Sequence, residues 1–404
     1  MITIGSQLDR HRGIGPGFDF LRIFLAFAIV AWHSRNVVYW TNDPVSQSSW
    51  WFIEYSLVPT FFALSGFLVA ASGIRLSLKN FLINRGLRIL PALALEILFS
   101  AFLLGPLFTS LSWRAYFSSP LLYHYLTNMV GLVNFYLPGV FDHHPWTMVN
   151  GALWTIPYEM ICYALLSLLI ITRWLGSPRA IATCTLVLML LAIGCRSLPG
   201  LEATYDHGGT TAFDKVVRFF LTGEQSRLLV SFMMGIVFYG FRHRIPYNFG
   251  LLVVAAAACL IIAVEGRHSW MDNATLRLIS IPALTYLMAF IGVTAIPVTW
   301  PFTKGDYSYG VYLYHLPFQQ MLYGLFPSIS ALQLFVLSVP TCTLVAAFSW
   351  HVVEKPVLRL RKRFSFVASV RGVTSASSKP GASVAGKVEP DATAQGRNFL
   401  GRQQ

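Results

Sequence analysis

The sequence predicts an all-α polytopic membrane protein, a helical bundle of about ten transmembrane helices with both termini in the cytoplasm. Of its 404 residues, 55% are hydrophobic and only 12% are charged, whereas soluble domains carry about 25% charged residues. Ten apolar runs each approach the ~20 residues that a helix needs to cross a bilayer. They cover residues 18–40, 51–72, 87–109, 152–172, 179–197, 226–241, 247–264, 276–297, 307–326 and 331–353.

The basic residues predict the orientation of these helices. The net charge is +13, but Lys and Arg gather at the ends of apolar runs, as topology signals do, which argues against nucleic-acid binding. Placing the N-terminus in the cytoplasm puts most of them inside. We therefore expect a cytoplasmic segment at 1–17, a membrane domain at 18–360 and a disordered basic cytoplasmic tail at 361–404.

Residues 113–150 are aromatic and partly apolar, but Pro120, Pro138 and Pro145 interrupt them. Proline removes a helical hydrogen bond and breaks or kinks a helix. We therefore predict an interfacial or re-entrant segment here rather than a simple span.

The five cysteines predict neither a metal site nor a disulfide framework. They are Cys162, Cys184, Cys195, Cys259 and Cys342, with no CxxC or Cys/His ligand spacing, and most lie inside apolar runs. Cysteines in such positions behave as small core residues. We therefore expect no metal.

An arginine and a histidine share one face of the first predicted helix. Arg22 and His33 are eleven residues apart, which is roughly three turns and about 16 Å along the axis. Such side chains are costly against lipid, so this face should point to protein or to a water-filled cavity. A snorkelling arginine and a structural histidine form the alternative. The shared face favours a functional pair.

Two further arginines, Arg85 and Arg88, are three residues apart and project from one side of a helix start at the predicted cytoplasmic surface. Paired guanidiniums suit a phosphate or pyrophosphate, which they grip bidentately. Juxtamembrane arginines are also common topology anchors, so both interpretations stay open.

Ser65 and Gly66 interrupt a span of otherwise bulky residues. Small residues permit either close helix packing or room for a ligand.

A carboxylate, Glu159, lies a few turns into the fourth span, close to its predicted outer side. An acid at that depth needs a partner or water, which favours a functional role. Trp154 and Tyr158 beside it could form a sugar-stacking wall or an ordinary interfacial aromatic belt. Further along, His315 lies within an aromatic span, where we predict a structural hydrogen-bonding role.

Together these segments resemble the acyltransferase-3 family of bacterial integral membrane acyltransferases, over about residues 13–360. The resemblance rests on six segments in the family's order: Arg22-x10-His33, FFALSGFLVA at 61–70, Arg85-Gly-Leu-Arg88-Ile-Leu-Pro91, Leu153-Trp154 through Glu159, the run from Ser308 to His315, and Glu354-Lys-Pro356.

The resemblance implies an acyl-CoA donor, usually acetyl-CoA, that binds from the cytoplasm, and a carbohydrate acceptor on the far side of the bacterial inner membrane. It assigns functional roles to Arg22, His33, Arg85, Arg88 and Glu159. It leaves open a partner protein from polysaccharide assembly.

The expected mechanism places the CoA phosphates on Arg85 and Arg88, with Arg22 nearby. The pantetheine arm runs up between helices, past the pocket around Ser65 and Gly66, and delivers its thioester near His33. His33 acts as a base on the acceptor hydroxyl or is itself acylated. Glu159 holds the acceptor or orients the imidazole. The alternatives are a transporter or flippase for a lipid-linked sugar or small solute, and a scaffold subunit of an export complex.

Overall fold

The computed structural model describes residues 1–40, 48, 50–197, 217, 220–221, 226–266, 273–296 and 305–359. Within these ranges the regular structure is helical, and β pairing is limited to two isolated bridges, Thr3 with Pro246 and Thr109 with Val140. The predicted all-α class is confirmed. The predicted tail at 361–404 lies outside the described residues.

The helices are numbered in chain order. They are α1 (Ile4–Arg10), α2 (Phe18–Tyr39), α3 (Trp51–Arg75), α4 (Leu78–Phe99), α5 (Trp113–Ser118), α6 (Pro120–Leu126), α7 (Ile156–Ile171), α8 (Pro178–Ser197), α9 (Ser226–Gly240), α10 (Phe249–Glu265), α11 (Asn273–Val293), α12 (Ser308–Leu325) and α13 (Ala331–Ser349). The π-helical turns Ser100–Leu104 and Trp350–Glu354 extend α4 and α13, and the 3-10 turn Gly151–Thr155 leads into α7.

Each of the ten predicted spans coincides with a helix. In the described part of the chain, seven helical stretches are long and apolar enough to cross a membrane: Phe18–Tyr39, Trp51–Arg75, Leu78–Phe108, Gly151–Ile171, Pro178–Cys195, Asn273–Val293 and Ala331–Arg359. Helices α9 and α10 are apolar but shorter, with 15 and 17 residues. The protein is therefore a helical membrane protein, while the count of ten spans and the cytoplasmic termini stay predictions.

Helix α4 begins earlier than the predicted span 87–109, because Ser77 caps it by accepting a hydrogen bond from the backbone N–H of Asn80. The sequence analysis placed Arg85 and Arg88 at a helix start, and this was wrong. Both lie two to three turns inside α4. Their side chains consequently face neighbouring helices.

Residues 113–150 contain no helix of spanning length, in agreement with the predicted interruption. Helices α5 and α6 are short, and Pro120 occupies the first turn of α6, where its missing N–H costs no hydrogen bond. After a 3-10 turn at Thr127–Val130, the chain follows an irregular path up to Asn150, which caps the 3-10 turn before α7.

Helices α3 and α9 pack in backbone contact through two glycines. A Cβ atom on Gly66 would collide with the carbonyl of Phe232, and one on Gly235 would collide with the carbonyl of Ala63. The close-packing interpretation of Gly66 is therefore confirmed, since only glycine lets the two helices approach this closely.

Candidate active site

Helices α2 and α12 run side by side in the same direction. Near their N-terminal ends Arg22 lies 3.5 Å from Asp306, which immediately precedes α12. Three turns further on, His33 of α2 lies 2.6 Å from His315 of α12. These two contacts are separated by about 16 Å of helix, so we call them the arginine end and the histidine end.

A cavity of about 190 Å³ lies among α2, α3, α4, α7, α9 and α12. Five of the six predicted site residues line it: Arg22, Ser65, Arg85, Arg88 and Glu159. Ser65 lines the cavity, while its neighbour Gly66 packs against α9. The sequence analysis left open close packing or room for a ligand, and each of the two residues fits one of these interpretations. The sixth residue, His33, is not part of the lining.

The arginine end comprises Arg22, Arg85, Arg88 and the carboxylate of Asp306 between them. Arg88 lies 2.7 Å from Asp306 and 3.4 Å from Glu354, whose side chain is only 2% exposed. Burial raises the pKa of Asp306, but Arg88 and Arg22 outweigh this and hold it below its ordinary value. Asp306 is therefore an anion that two of the arginines already bind.

Arg85 differs from Arg88 although both line the cavity. In the described part of the chain no carboxylate lies within salt-bridge distance of Arg85, and its buried Nε has no hydrogen-bond partner. Its guanidinium lies 5.9 Å from the ring centroid of Tyr163. The two arginines that the sequence suggested as a phosphate-binding pair thus differ. Arg88 is bound by carboxylates, and Arg85 lines the cavity without a carboxylate partner among the described residues.

Glu159 shares the cavity with these arginines. Its carboxylate accepts a 2.6 Å hydrogen bond from the hydroxyl of Tyr163, one turn along α7, and it lies within electrostatic range of Arg85 and Arg88. Trp154 and Tyr158 pack edge to face, 5.9 Å apart, and are partly buried against the main core. Both rings therefore contact the core, and their part in sugar stacking or in an interfacial belt stays a prediction.

The histidine end is formed by His33, His315, Tyr312 and Thr155. The two imidazoles are close to coplanar, with 9° between their planes, and Nδ1 of His315 lies 2.7 Å from the carbonyl oxygen of Tyr312. In this structure His315, and not Glu159, is the hydrogen-bond partner that orients His33. Tyr312 also lines the cavity, and its hydroxyl lies 2.8 Å from Oγ1 of Thr155.

The irregular segment before α7 covers His33. The ring of Trp146 lies 5.5 Å from His33 and stacks on Trp40 at 5.0 Å. The side-chain amide of Gln320 donates to the backbone carbonyls of Trp146 and Met148. Helix α12 therefore holds both the partner of His33 and the segment above it.

Sequence reasoning missed a buried polar group around Glu96, which is fully buried on α4. Its Oε1 accepts hydrogen bonds from Ser100 at 2.8 Å and from Asn150 at 3.0 Å. Asn150 also donates to the carbonyl of Leu313 at 2.9 Å. The signal was present in the sequence, because Glu96 is the single acid in an apolar run, as Glu159 is in its own.

The comparisons with known proteins agree with this architecture. The family model described as "Acyltransferase domain", that of the acyltransferase-3 family, matches residues 16–350. The chain is 28% identical to nodulation protein 10 of Rhizobium leguminosarum bv. viciae over 385 residues, 89% of this chain and 97% of the relative. It is 26% identical to an O-acetyl transferase of Shigella phage Sf6 over 315 residues, 74% of this chain and 83% of the relative.

No solved structure matches the chain. The family model nevertheless covers most of the sequence. Its match, residues 16–350, includes the residues of the histidine end and, of those at the arginine end, all but Glu354. The chain therefore belongs to the acyltransferase-3 family and is a membrane acyltransferase.

Proposed function

We propose that this protein transfers an acetyl group from cytoplasmic acetyl-CoA to a hydroxyl of a cell-surface or exported carbohydrate at the bacterial inner membrane. The O-acetyl transferase among its relatives supports the acetyl group and the hydroxyl acceptor. The observation that carries the proposal is one cavity with cations at one end and, at the other, a tyrosine whose carbonyl holds the His315–His33 pair.

The arginine end suits the phosphates of the donor. Arg85 faces the cavity with a buried Nε that has no partner in the described residues, and guanidiniums bind phosphate oxygens through charge-assisted hydrogen bonds. Arg22 and Arg88 add positive charge once Asp306 is displaced or shared. We assign the nucleotide to the mouth of this cavity and the narrower pantetheine arm to its interior.

The acyl end of the arm then passes Ser65 and Tyr312 to reach His33. The 16 Å between Arg22 and His33 corresponds to the length of an extended arm rather than of a compact ligand. The apolar wall contributed by α3, including Val58 and Phe61, surrounds the uncharged arm. Glu159, beside Arg85 and Arg88, is assigned to this donor path and not to the acceptor hydroxyl.

At the histidine end, Nε2 of His33 removes the proton from the acceptor hydroxyl as its oxygen attacks the thioester carbon. The carbon–sulfur bond breaks, and the thiolate takes the proton back from His33. The products are the ester and free CoA.

The test is to incubate purified protein in lipid nanodiscs with labelled acetyl-CoA and membranes that carry the acceptor, and to follow release of CoA. His33→Ala should abolish release while inserting normally. His124→Ala, which replaces an exposed histidine outside the cavity lining, is the matched control and should be fully active. Unchanged acyl transfer by His33→Ala contradicts the assignment, and a transporter would release no CoA in either protein.

Mass spectrometry of surface carbohydrate from cells with and without the protein then identifies the acceptor. Loss of an acetyl ester from a defined sugar supports the proposal. An unchanged ester pattern would contradict the proposal that the acceptor is a surface carbohydrate.

A further inference from the structure

His33 and His315 form a hydrogen-bonded pair, and the geometry of the pair determines which ring nitrogens carry protons. Nδ1 of His33 lies 2.6 Å from Nε2 of His315, and the near-coplanar rings direct each nitrogen lone pair or N–H along the line between them. His315 is fully buried, whereas His33 is half-buried. A contact this short between two ring nitrogens requires one proton between them.

The backbone determines where the protons lie. Nδ1 of His315 faces the carbonyl oxygen of Tyr312 at 2.7 Å, and a carbonyl can only accept a hydrogen bond, so this nitrogen carries the proton. In a neutral His315 the Nε2 atom is then bare and accepts from His33. Nδ1 of His33 is therefore the donor, and Nε2 of His33 keeps its lone pair.

We infer that His315 is a positioning residue that holds His33 in the tautomer with Nε2 free to act as the base. The inference deepens the proposed function and rests on His33 being the base in that reaction. His315 does not touch the reacting atoms. It sets which nitrogen of His33 accepts the hydroxyl proton, and its own Nε2 continues to accept from Nδ1–H when His33 becomes positively charged.

The carbonyl that starts this chain of hydrogen bonds is held in place by its surroundings. Pro317 lies inside α12 and has no N–H for the carbonyl four residues earlier, that of Leu313. Asn150 donates to this carbonyl instead, at 2.9 Å. On the adjacent residue, the Tyr312 hydroxyl is held by Thr155 and Ala152. The segment 150–155 thus holds α12 at Tyr312, whose carbonyl binds His315, and at the next residue, Leu313.

Two substitutions at position 315 separate positioning from mere packing. In His315→Gln the amide oxygen extends to where Nε2 of the imidazole lies and accepts from His33. In His315→Asn the shorter amide still donates to the Tyr312 carbonyl but does not reach His33. Both variants remove the ring and leave a neutral amide, so each serves as the control for the other.

We expect His315→Asn to lower kcat by about 10²-fold, within the range that a correctly positioned base contributes, with little change in KM for acetyl-CoA. His315→Gln should recover most of this loss while unfolding at the same temperature as His315→Asn. Equal kcat in the two variants, or a loss confined to KM, would overturn the inference.

A measurement on the unmodified chain keeps the test independent of variant folding. In ¹⁵N NMR of histidine-labelled protein in nanodiscs, assigned by the loss of signals in His33→Ala, we expect an unprotonated Nε2 and a protonated Nδ1 for His33. The opposite tautomer excludes the role assigned to His315. This readout is distinct from the proposed function, since acyl transfer could fail while the tautomer is found as expected.

Discussion

At the arginine end of the cavity, opposite charges hold the side chains: Asp306 lies between Arg22 and Arg88, and Glu354 contacts Arg88 from behind. At the histidine end, directional hydrogen bonds between uncharged groups hold the side chains. They link the Tyr312 carbonyl to His315 and His315 to His33. Ion pairs can exchange one anion for another, whereas a chain of single hydrogen bonds fixes a geometry. The first arrangement suits ligand binding and the second suits proton transfer.

The largest expected effect comes from breaking the charged end at Arg88. In Arg88→Ala the buried carboxylate of Glu354 loses its cation, which should cost about 3 kcal/mol of unfolding free energy and lower the thermal midpoint in detergent. Adding Glu354→Gln should restore part of the loss, because the uncompensated charge is removed. Arg85→Ala, which breaks no ion pair in the described residues, is the control, and equal destabilisation of the two would contradict the distinction drawn between these arginines.

At the histidine end, we expect substitution of Asn150 to cause the largest loss of stability. Asn150→Leu leaves the Leu313 carbonyl without its side-chain donor and leaves Glu96 with Ser100 as its remaining donor. We expect a cost of about 2 kcal/mol and a fall in kcat, because α12 is no longer fixed. Glu96→Gln keeps an oxygen that accepts the same hydrogen bonds and should change the midpoint much less. A wild-type midpoint and kcat in Asn150→Leu would mean that α12 does not depend on this contact.

Removing the guanidinium of Arg85, which lines the cavity, should chiefly weaken binding of the acetyl-CoA donor. Arg85→Ala should raise KM for acetyl-CoA about tenfold, or about 1.4 kcal/mol for a lost charge-assisted hydrogen bond, with a smaller change in kcat. Arg75→Ala, which removes an exposed arginine outside the cavity lining, should leave KM unchanged. If KM stays constant in Arg85→Ala, the phosphates bind elsewhere.

The smallest effect should have the opposite sign. In Asp306→Asn the competing carboxylate disappears, so KM for acetyl-CoA should fall about threefold, within the 0–1 kcal/mol that a partly exposed ion pair contributes. Because Arg88 and Arg22 hold the pKa of Asp306 below its usual value, the wild-type carboxylate stays ionised across the assay range. The difference in KM should therefore persist between about pH 8 and pH 5, and a rise in KM would show that Asp306 assists the donor.

The sequence was sufficient to locate the ten long apolar helices, because long apolar runs are required by a bilayer and are visible in composition alone. It missed the start of α4 at Leu78 and the short helices α1, α5 and α6. It predicted the shared face of Arg22 and His33, which follows from helical geometry within one segment. The partner of His33 could not be predicted in this way, because His315 is 282 residues away. The unequal surroundings of Arg85 and Arg88 were hidden for the same reason, since Asp306 and Glu354 come from distant parts of the chain.

The glycine contact between α3 and α9 has a consequence for any attempt to widen the cavity. Side chains larger than hydrogen at Gly66 or Gly235 would separate the two helices, so this wall of the cavity cannot be moved without disrupting the packing of α3 on α9. Trimming Val58 or Leu68, which line the same cavity from α3, enlarges the space while leaving that seam intact. Substitutions meant to widen the cavity should therefore be made on the aliphatic wall and not at the two glycines.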